Sequence, residues 1–138
     1  MKKQLNKNLI ERFSRQIVLK DIGILGQKKI LSAKVLVVGA GGLGCPVIEF
    51  LTRAGIGTLG IVDYDKVNLS NLHRQSLYQK SDIGKSKVLI IKKKLNSINS
   101  YTKVQSYNLK LNNINFKKII NKYDYIVDGS DNFKTKFL

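Results

Sequence analysis

Four consecutive apolar residues, Val35-Leu36-Val37-Val38, leave no polar face on the segment Lys34–Val38. Such a run predicts a strand buried on both sides, as in a parallel sheet. Thr58–Val62 predicts a second strand that ends at Asp63. Lys103–Tyr107 alternates and predicts a weaker third, and residues 123–127 predict a fourth that ends at Asp128. Between the strands the period changes. Residues 46–54 predict a helix, with Pro46 in the first turn, where no N–H is needed, and Gly55 as the stop. Val88, Ile91, Leu95 and Ile98 recur at helical spacing, while Lys92, Lys93 and Lys94 fall largely off that stripe. This second helix opens at Gly84-Lys85-Ser86-Lys87. A short helix is expected at 114–121, and two more, over 5–17 and 22–31, precede the first strand.

Strands that alternate with helices across short turns imply a parallel sheet with right-handed crossovers. The expected fold class is therefore α/β: one Rossmann-like domain over residues 1–138, with two N-terminal helices. Two segments break the pattern. The loop 64–83 is long for a compact domain, and such loops usually serve function. At the other end, Gly129-Ser130-Asp131-Asn132 reads as a helix start followed by only six residues. Isolated helices need roughly 12–15 residues, so the sheet is expected to be incomplete at its C-terminus. Either the chain is a fragment or another chain completes the sheet.

Composition narrows the class. No apolar run exceeds four residues, so no membrane span is expected. The basic start has no apolar stretch behind it and does not read as a secretory signal. Cys45 is the single cysteine, which excludes a disulfide framework and a Cys-rich zinc site within these residues. A reducing, cytoplasmic setting is the default. The net charge of +16 invites a nucleic-acid reading. However, the lysines are scattered and lack interleaved aromatics. Lys, Asn and Ile, the residues of AT-rich codons, make up over a third of the chain. No dedicated nucleic-acid binding is expected. In so lysine-rich a chain the four arginines, Arg12, Arg15, Arg53 and Arg74, carry more information.

Gly39-Ala40-Gly41-Gly42-Leu43-Gly44 has G-x-G-x-x-G spacing between a buried strand and a helix, the context such a fingerprint requires. Gly39 permits the tight turn. Gly41 and Gly42 let backbone N–H groups approach phosphate, Gly44 lets the helix pack close, and the helix N-terminus favours the anion. Asp63 ends the next strand, where a carboxylate accepts hydrogen bonds from ribose. NAD would be the first guess. The following loop, Ser70-Asn71-Leu72-His73-Arg74-Gln75, changes it, because a cluster of Asn, Arg and Gln suits a triphosphate better. Arg74 offers a forked cation, Asn71 a neutral donor and Lys87 a point charge. Asp131, just past the fourth strand, is placed for Mg²⁺ facing phosphates.

Together these motifs resemble the ThiF/MoeB/HesA family, bacterial relatives of the ubiquitin-activating enzymes. The resemblance runs from Arg12-Phe13-Ser14-Arg15-Gln16 to Asp128-Gly129-Ser130-Asp131-Asn132 and takes in Gly-x-Gly-Gly-Leu-Gly, Asp-x-Asp, Ser-Asn-Leu-x-Arg-Gln and Gly-x-x-Lys. It implies an ATP-dependent adenylyltransferase. The substrate would be the C-terminal glycine of a ubiquitin-like sulfur carrier, in thiamine or molybdopterin synthesis. By the same resemblance Gly42 lies against the phosphates, Asp63 holds ribose, and Ser70, Asn71 and Arg74 hold the phosphate tail. Lys87 neutralises charge near the α-phosphate, Asp131 holds Mg²⁺ and Asn132 lines the pocket. Arg15 reaches the ATP of a neighbouring subunit, which implies a homodimer. The family's zinc-binding cysteine pairs would belong to a longer chain.

Plainer readings stand beside these. The glycines serve a tight turn, Arg15 is a solvated helix charge, and Lys87 is one lysine among many. Asp65 shapes its loop, Arg53 complements a helix dipole, and Cys45 is a small packing residue. As a whole, the alternatives are a truncated ATP-binding or dimerising module without catalysis, an NAD-dependent oxidoreductase, and a family variant that activates a small substrate or a tRNA base.

Overall fold

Four parallel strands run in the order β3-β2-β1-β4 in the computed structural model, which describes residues 5–131. They are β1 (Lys34–Val38), β2 (Thr58–Val62), β3 (Lys103–Tyr107) and β4 (Tyr125–Asp128). The helices are α1 (Lys7–Arg12), α2 (Ser14–Ile17), α3 (Gly23–Ser32), α4 (Gly44–Ala54), α5 (Lys87–Ile98) and α6 (Asn113–Ile120). This is the Rossmann-like α/β architecture that the alternating pattern predicts. Asn132 and the expected helix at 133–138 lie outside the described residues.

Each strand alternates its side chains between two layers. Val35, Val37, Leu59, Ile61 and Val104 pack with Cys45 and Ile48 of α4 and with Val88, Ile91 and Leu95 of α5. Leu36, Val38 and Val62 pack on the other side with Ile119 of α6. Gly60 is required there, because a Cβ at this position would fall 2.3 Å from the Tyr123 hydroxyl.

The expected helix over 5–17 is broken at Phe13, whose backbone (φ −103°, ψ 13°) separates α1 from α2. The cause is tertiary. Phe13 is buried, with its ring against Gly55, where a Cβ would lie 2.5 Å from the ring tip. Gly55 itself ends α4 in the left-handed region, at φ 93°. The break also brings Gln16 to the end of α4. Gln16 and Gln27 each donate to the Ala54 carbonyl at 3.1 Å, and Gln16 donates to Gln27 at 2.7 Å. Arg12 donates to the Ile98 carbonyl and so caps α5.

Register sets up the functional end of the sheet. Val38 of β1 lies opposite Val62 of β2 and opposite Asp128 of β4. Gly39, Asp63 and Gly129 therefore leave the sheet side by side. Gly39 N–H donates to Val62 and Gly129 N–H to Val38, both at 2.8 Å. The strand order reverses between β1 and β4, and a crevice at such a point is where open α/β sheets take ligands.

Candidate functional site

A cavity of about 450 Å³ opens at that crevice. Val38, Gly39, Gly41 and Gly42 line one wall, Asp63, Tyr64 and Asp65 another. Arg74, Gln75 and Lys87 enter from the long loop and from α5, while Gly129, Ser130 and Asp131 follow β4. Leu109, Lys110 and Leu111, between β3 and α6, close the apolar side. Carboxylates and cations are balanced on these walls, so the basic character of the chain is not concentrated here.

The fingerprint glycines divide into two pairs. Gly39 sits at φ 91°, and a Cβ there would lie 2.8 Å from the Gly129 carbonyl oxygen. At Gly44 a Cβ would fall 1.8 Å from the Gly39 carbonyl oxygen. These two glycines are required by the protein's own backbone. Gly44 does not line the cavity but lets α4 start against the turn. At Gly41 and Gly42 a Cβ would meet only the side chains of Gln75 and Arg74, at an ordinary 3.6 Å. Nothing in the fold forbids a side chain at these two positions. What their bareness preserves is open space at the N-terminus of α4, where unpaired N–H groups and the helix dipole favour an anion.

Asp63 braces this turn. One carboxylate oxygen accepts from Ala40 N–H and the other from Asp65 N–H, both at 2.8 Å. Each oxygen has a second lone pair for a ligand hydroxyl. Lys87 is 4% exposed and lines the cavity. Its nearest carboxylate, Asp65, is 3.7 Å away, beyond hydrogen-bonding distance, and the Tyr78 ring lies beneath it at 5.9 Å. A buried ammonium so weakly compensated is well placed to meet an anion. Arg74 is tethered by its donation to the Ser70 carbonyl at 2.9 Å.

The long loop is not loose. Asn68 and Asn71 form a reciprocal cap around the single turn Leu69–Asn71, and Gln79 and Asp82 do the same around Lys80–Asp82. Lys94 of α5 fastens the second turn, with donations to Asp82 at 2.8 Å and to the Leu77 carbonyl at 2.6 Å. Burial raises the Asp82 carboxyl, but the Lys94 and Gln79 N–H groups outweigh it, and the net shift is downward.

Among the expected site residues, Gly39, Gly41, Gly42, Asp63, Arg74, Lys87 and Asp131 converge on the cavity. Ser70 and Asn71 do not line it. The Asn71 side-chain oxygen accepts from Asn68 N–H, and Ser70 contributes its carbonyl to Arg74. Arg15 is exposed on α2, away from the cavity, with no ion pair or hydrogen bond among the described residues. Cys45 is fully buried and donates to the Ala40 carbonyl at 3.4 Å; burial pushes its thiol pKa up, which suits packing rather than reactivity. Gln75, part of the loop cluster read from the sequence, and Lys110, which the sequence did not single out, also line the cavity.

The ThiF family profile matches residues 13–138. The chain belongs to the ThiF family. It is 47% identical over 134 residues to the adenylyltransferase and sulfurtransferase MOCS3 of Dictyostelium discoideum, covering 97% of this chain and 32% of that protein. It is 44% identical over 132 residues to the sulfur carrier protein adenylyltransferase of Thermus thermophilus, covering 96% and 49%. The chain thus spans about half, or less, of these ThiF relatives. Among solved structures, the E. coli tRNA N6-threonylcarbamoyladenosine dehydratase TcdA in complex with ATP superposes with a TM-score of 0.90 at 25% identity, over 97% of this chain and 55% of that one.

Proposed function

We propose that this ThiF-family chain supplies the ATP site of an adenylyltransferase that activates the C-terminal glycine of a ubiquitin-like sulfur carrier. The observation that carries the reading is the pair of unobstructed glycines at the N-terminus of α4, faced by Arg74 and by the weakly compensated Lys87. A dinucleotide site needs the glycines but not the two cations. Relatives named as adenylyltransferases, and a structural neighbour that holds ATP, support it.

In this reading Asp63 accepts from ribose hydroxyls, and the apolar side at Leu109 and Leu111 takes the base. The Gly41 and Gly42 backbone and the α4 N-terminus cradle the phosphates. The carrier carboxylate attacks the α-phosphorus, the bond to the bridging oxygen breaks, and pyrophosphate leaves. Lys87 and Arg74 stabilise the charge that builds on the phosphoryl oxygens. Asn71 and Ser70 act by holding the loop that presents Arg74. Asp131, which lines the cavity just past β4, is the residue that would hold Mg²⁺. A lone Asp131 beside a phosphate site suits an ion bound by one carboxylate and the substrate phosphates. Bound there, Mg²⁺ would neutralise phosphate charge.

In the same reading Arg15 of α2 reaches the ATP of a second subunit, and the working unit is a homodimer. The pathway is thiamine or molybdopterin synthesis, and the setting cytoplasmic. Among the described residues no helix is long and apolar enough to cross a membrane. The test is exchange of labelled pyrophosphate into ATP by the complete gene product, with a Gly-Gly-ending carrier. Exchange that requires the carrier supports the reading, and no exchange with any such carrier overturns it.

A further inference from the structure

Tyr78, in the long loop, is buried and does not line the cavity. Its side chain nevertheless holds the frame of two groups that do. The hydroxyl donates to the Ala40 carbonyl at 2.6 Å, and the Lys87 ammonium lies 5.9 Å from the ring centre. Burial pushes the phenol pKa up, so the hydroxyl stays protonated and remains a donor. The loop behind it is anchored. Lys94 donates to the neighbouring Leu77 carbonyl at 2.6 Å, and Tyr78 N–H donates to the Gln75 carbonyl.

The Ala40 carbonyl belongs to the peptide that carries the Gly41 N–H. That peptide is trans and planar, so its C=O and N–H point in opposite directions. A grip on the carbonyl therefore sets where the Gly41 N–H points. Gly41 lines the cavity, and its N–H donates to no backbone carbonyl among the described residues. Asp63 holds the other side of Ala40 through its N–H at 2.8 Å. With a glycine on each side, the backbone around Ala40 has unusual freedom to lose. The Cys45 thiol also reaches this carbonyl, at 3.4 Å, but a thiol is a weak donor. The ring has a second role. Lys87 is buried, and its nearest carboxylate stands 3.7 Å away. An aromatic face within about 6 Å attracts an ammonium, more strongly where water is excluded.

We infer that Tyr78 is a positioning residue for the phosphate site: its hydroxyl aims the Gly41 N–H, and its ring seats the Lys87 ammonium. It acts through the two groups it holds and touches no substrate. This rests on the reading of the cavity as an ATP site. Packing alone would not produce its consequence, which is two separable losses confined to ligands that carry phosphate. One loss follows the hydroxyl and the other follows the ring.

The experiment titrates ATP, AMP and adenosine into the 138-residue chain and into its Tyr78→Phe and Tyr78→Leu variants, each also in a Lys87→Met background. Tyr78→Phe keeps the ring and loses the hydroxyl, and should weaken ATP and AMP roughly fivefold. That loss should persist with Lys87→Met, because it acts through Gly41. Tyr78→Leu should weaken both by a further fivefold or so, and this increment should vanish with Lys87→Met. Adenosine, which has no phosphate, should bind every variant within twofold of wild type. If Tyr78→Leu does not fold, Tyr78→Phe, which fills the same space, decides on the contrast between phosphate-bearing ligands and adenosine. ATP and AMP affinities within twofold of wild type overturn the proposal. So does an equal loss for adenosine, or a leucine increment that survives without Lys87. A wild-type chain that binds none of the three overturns the ATP-site reading, and this proposal with it. Wild-type binding with an indifferent Tyr78 overturns the proposal alone.

Discussion

Gly44 and Gly42 are two residues apart in one glycine turn, yet alanine should act on them in opposite ways. At Gly44 the new Cβ would fall 1.8 Å from the Gly39 carbonyl oxygen and 2.8 Å from its carbon. Both are backbone atoms in the turn that joins β1 to α4, so relief requires the helix start to move. Overpacking in a well-packed region costs about 1–3 kcal/mol, and a clash with backbone belongs at the upper end. A loss of about 3 kcal/mol lowers the melting temperature of a domain this size by roughly 10 °C. At Gly42 the Cβ would meet the Arg74 side chain at 3.6 Å, an ordinary contact, and the backbone is not at positive φ. Alanine there narrows the unfolded ensemble and is expected to stabilise by about 0.4–1 kcal/mol. It also intrudes on the space where phosphate approaches the N–H groups, so ATP affinity should fall at least about tenfold, the equivalent of roughly 1.4 kcal/mol. Melting curves and ATP titrations of both variants read the two effects. If Gly42→Ala binds ATP like the wild type, or Gly44→Ala melts like it, the division of the glycines into ligand-facing and fold-required pairs is refuted.

Four further substitutions have outcomes of their own. Lys87→Met should keep or raise the melting temperature, since the buried ammonium is poorly compensated, and should lose at least about tenfold in ATP affinity; unchanged affinity would remove Lys87 from the site. Within one motif, Arg12→Ala should cost about 1 kcal/mol in urea unfolding through the lost cap on α5. Arg15→Ala should leave stability unchanged and suppress pyrophosphate exchange, the reverse of a surface charge without function. The folded Asp82 pKa is lowered, so its stabilisation is complete above the unfolded value of about 3.9 and is lost as pH falls through the folded value. Asp82→Asn should therefore flatten the acid limb of the stability profile, and an unchanged limb in urea unfolding from pH 7 to 3 would exclude the Lys94 contact as its source.

The strands were legible because their cause is local. Val35 to Val38 is apolar on both faces, and Gly39 and Gly55 punctuate its neighbours. The motif glycines, Asp63, Arg74 and Lys87 were legible for a related reason: they follow strand ends or helix starts, and the parallel register brings those together. What escaped depends on partners distant in sequence. The helix breaks at Phe13 because Gly55, over forty residues away, leaves room for the ring. Lys94 looks like one charge in a basic run, yet it fastens Leu77 and Asp82 to α5. Asn71 has the composition of a ligand group, but its side-chain oxygen faces the Asn68 N–H. Gln75 stands in the loop cluster that the sequence shows, but its burial and unmet acceptor are not encoded in a linear pattern.

The crevice between β1 and β4 is proposed to hold the phosphates of ATP rather than a nicotinamide dinucleotide. Calorimetric titration of this chain with Mg-ATP, repeated in the presence of excess NADH, tests it most directly. Saturable ATP binding that NADH does not displace, and that Lys87→Met weakens at least about tenfold, is the expected result. Tight NADH binding indifferent to ATP and to Lys87 would contradict it.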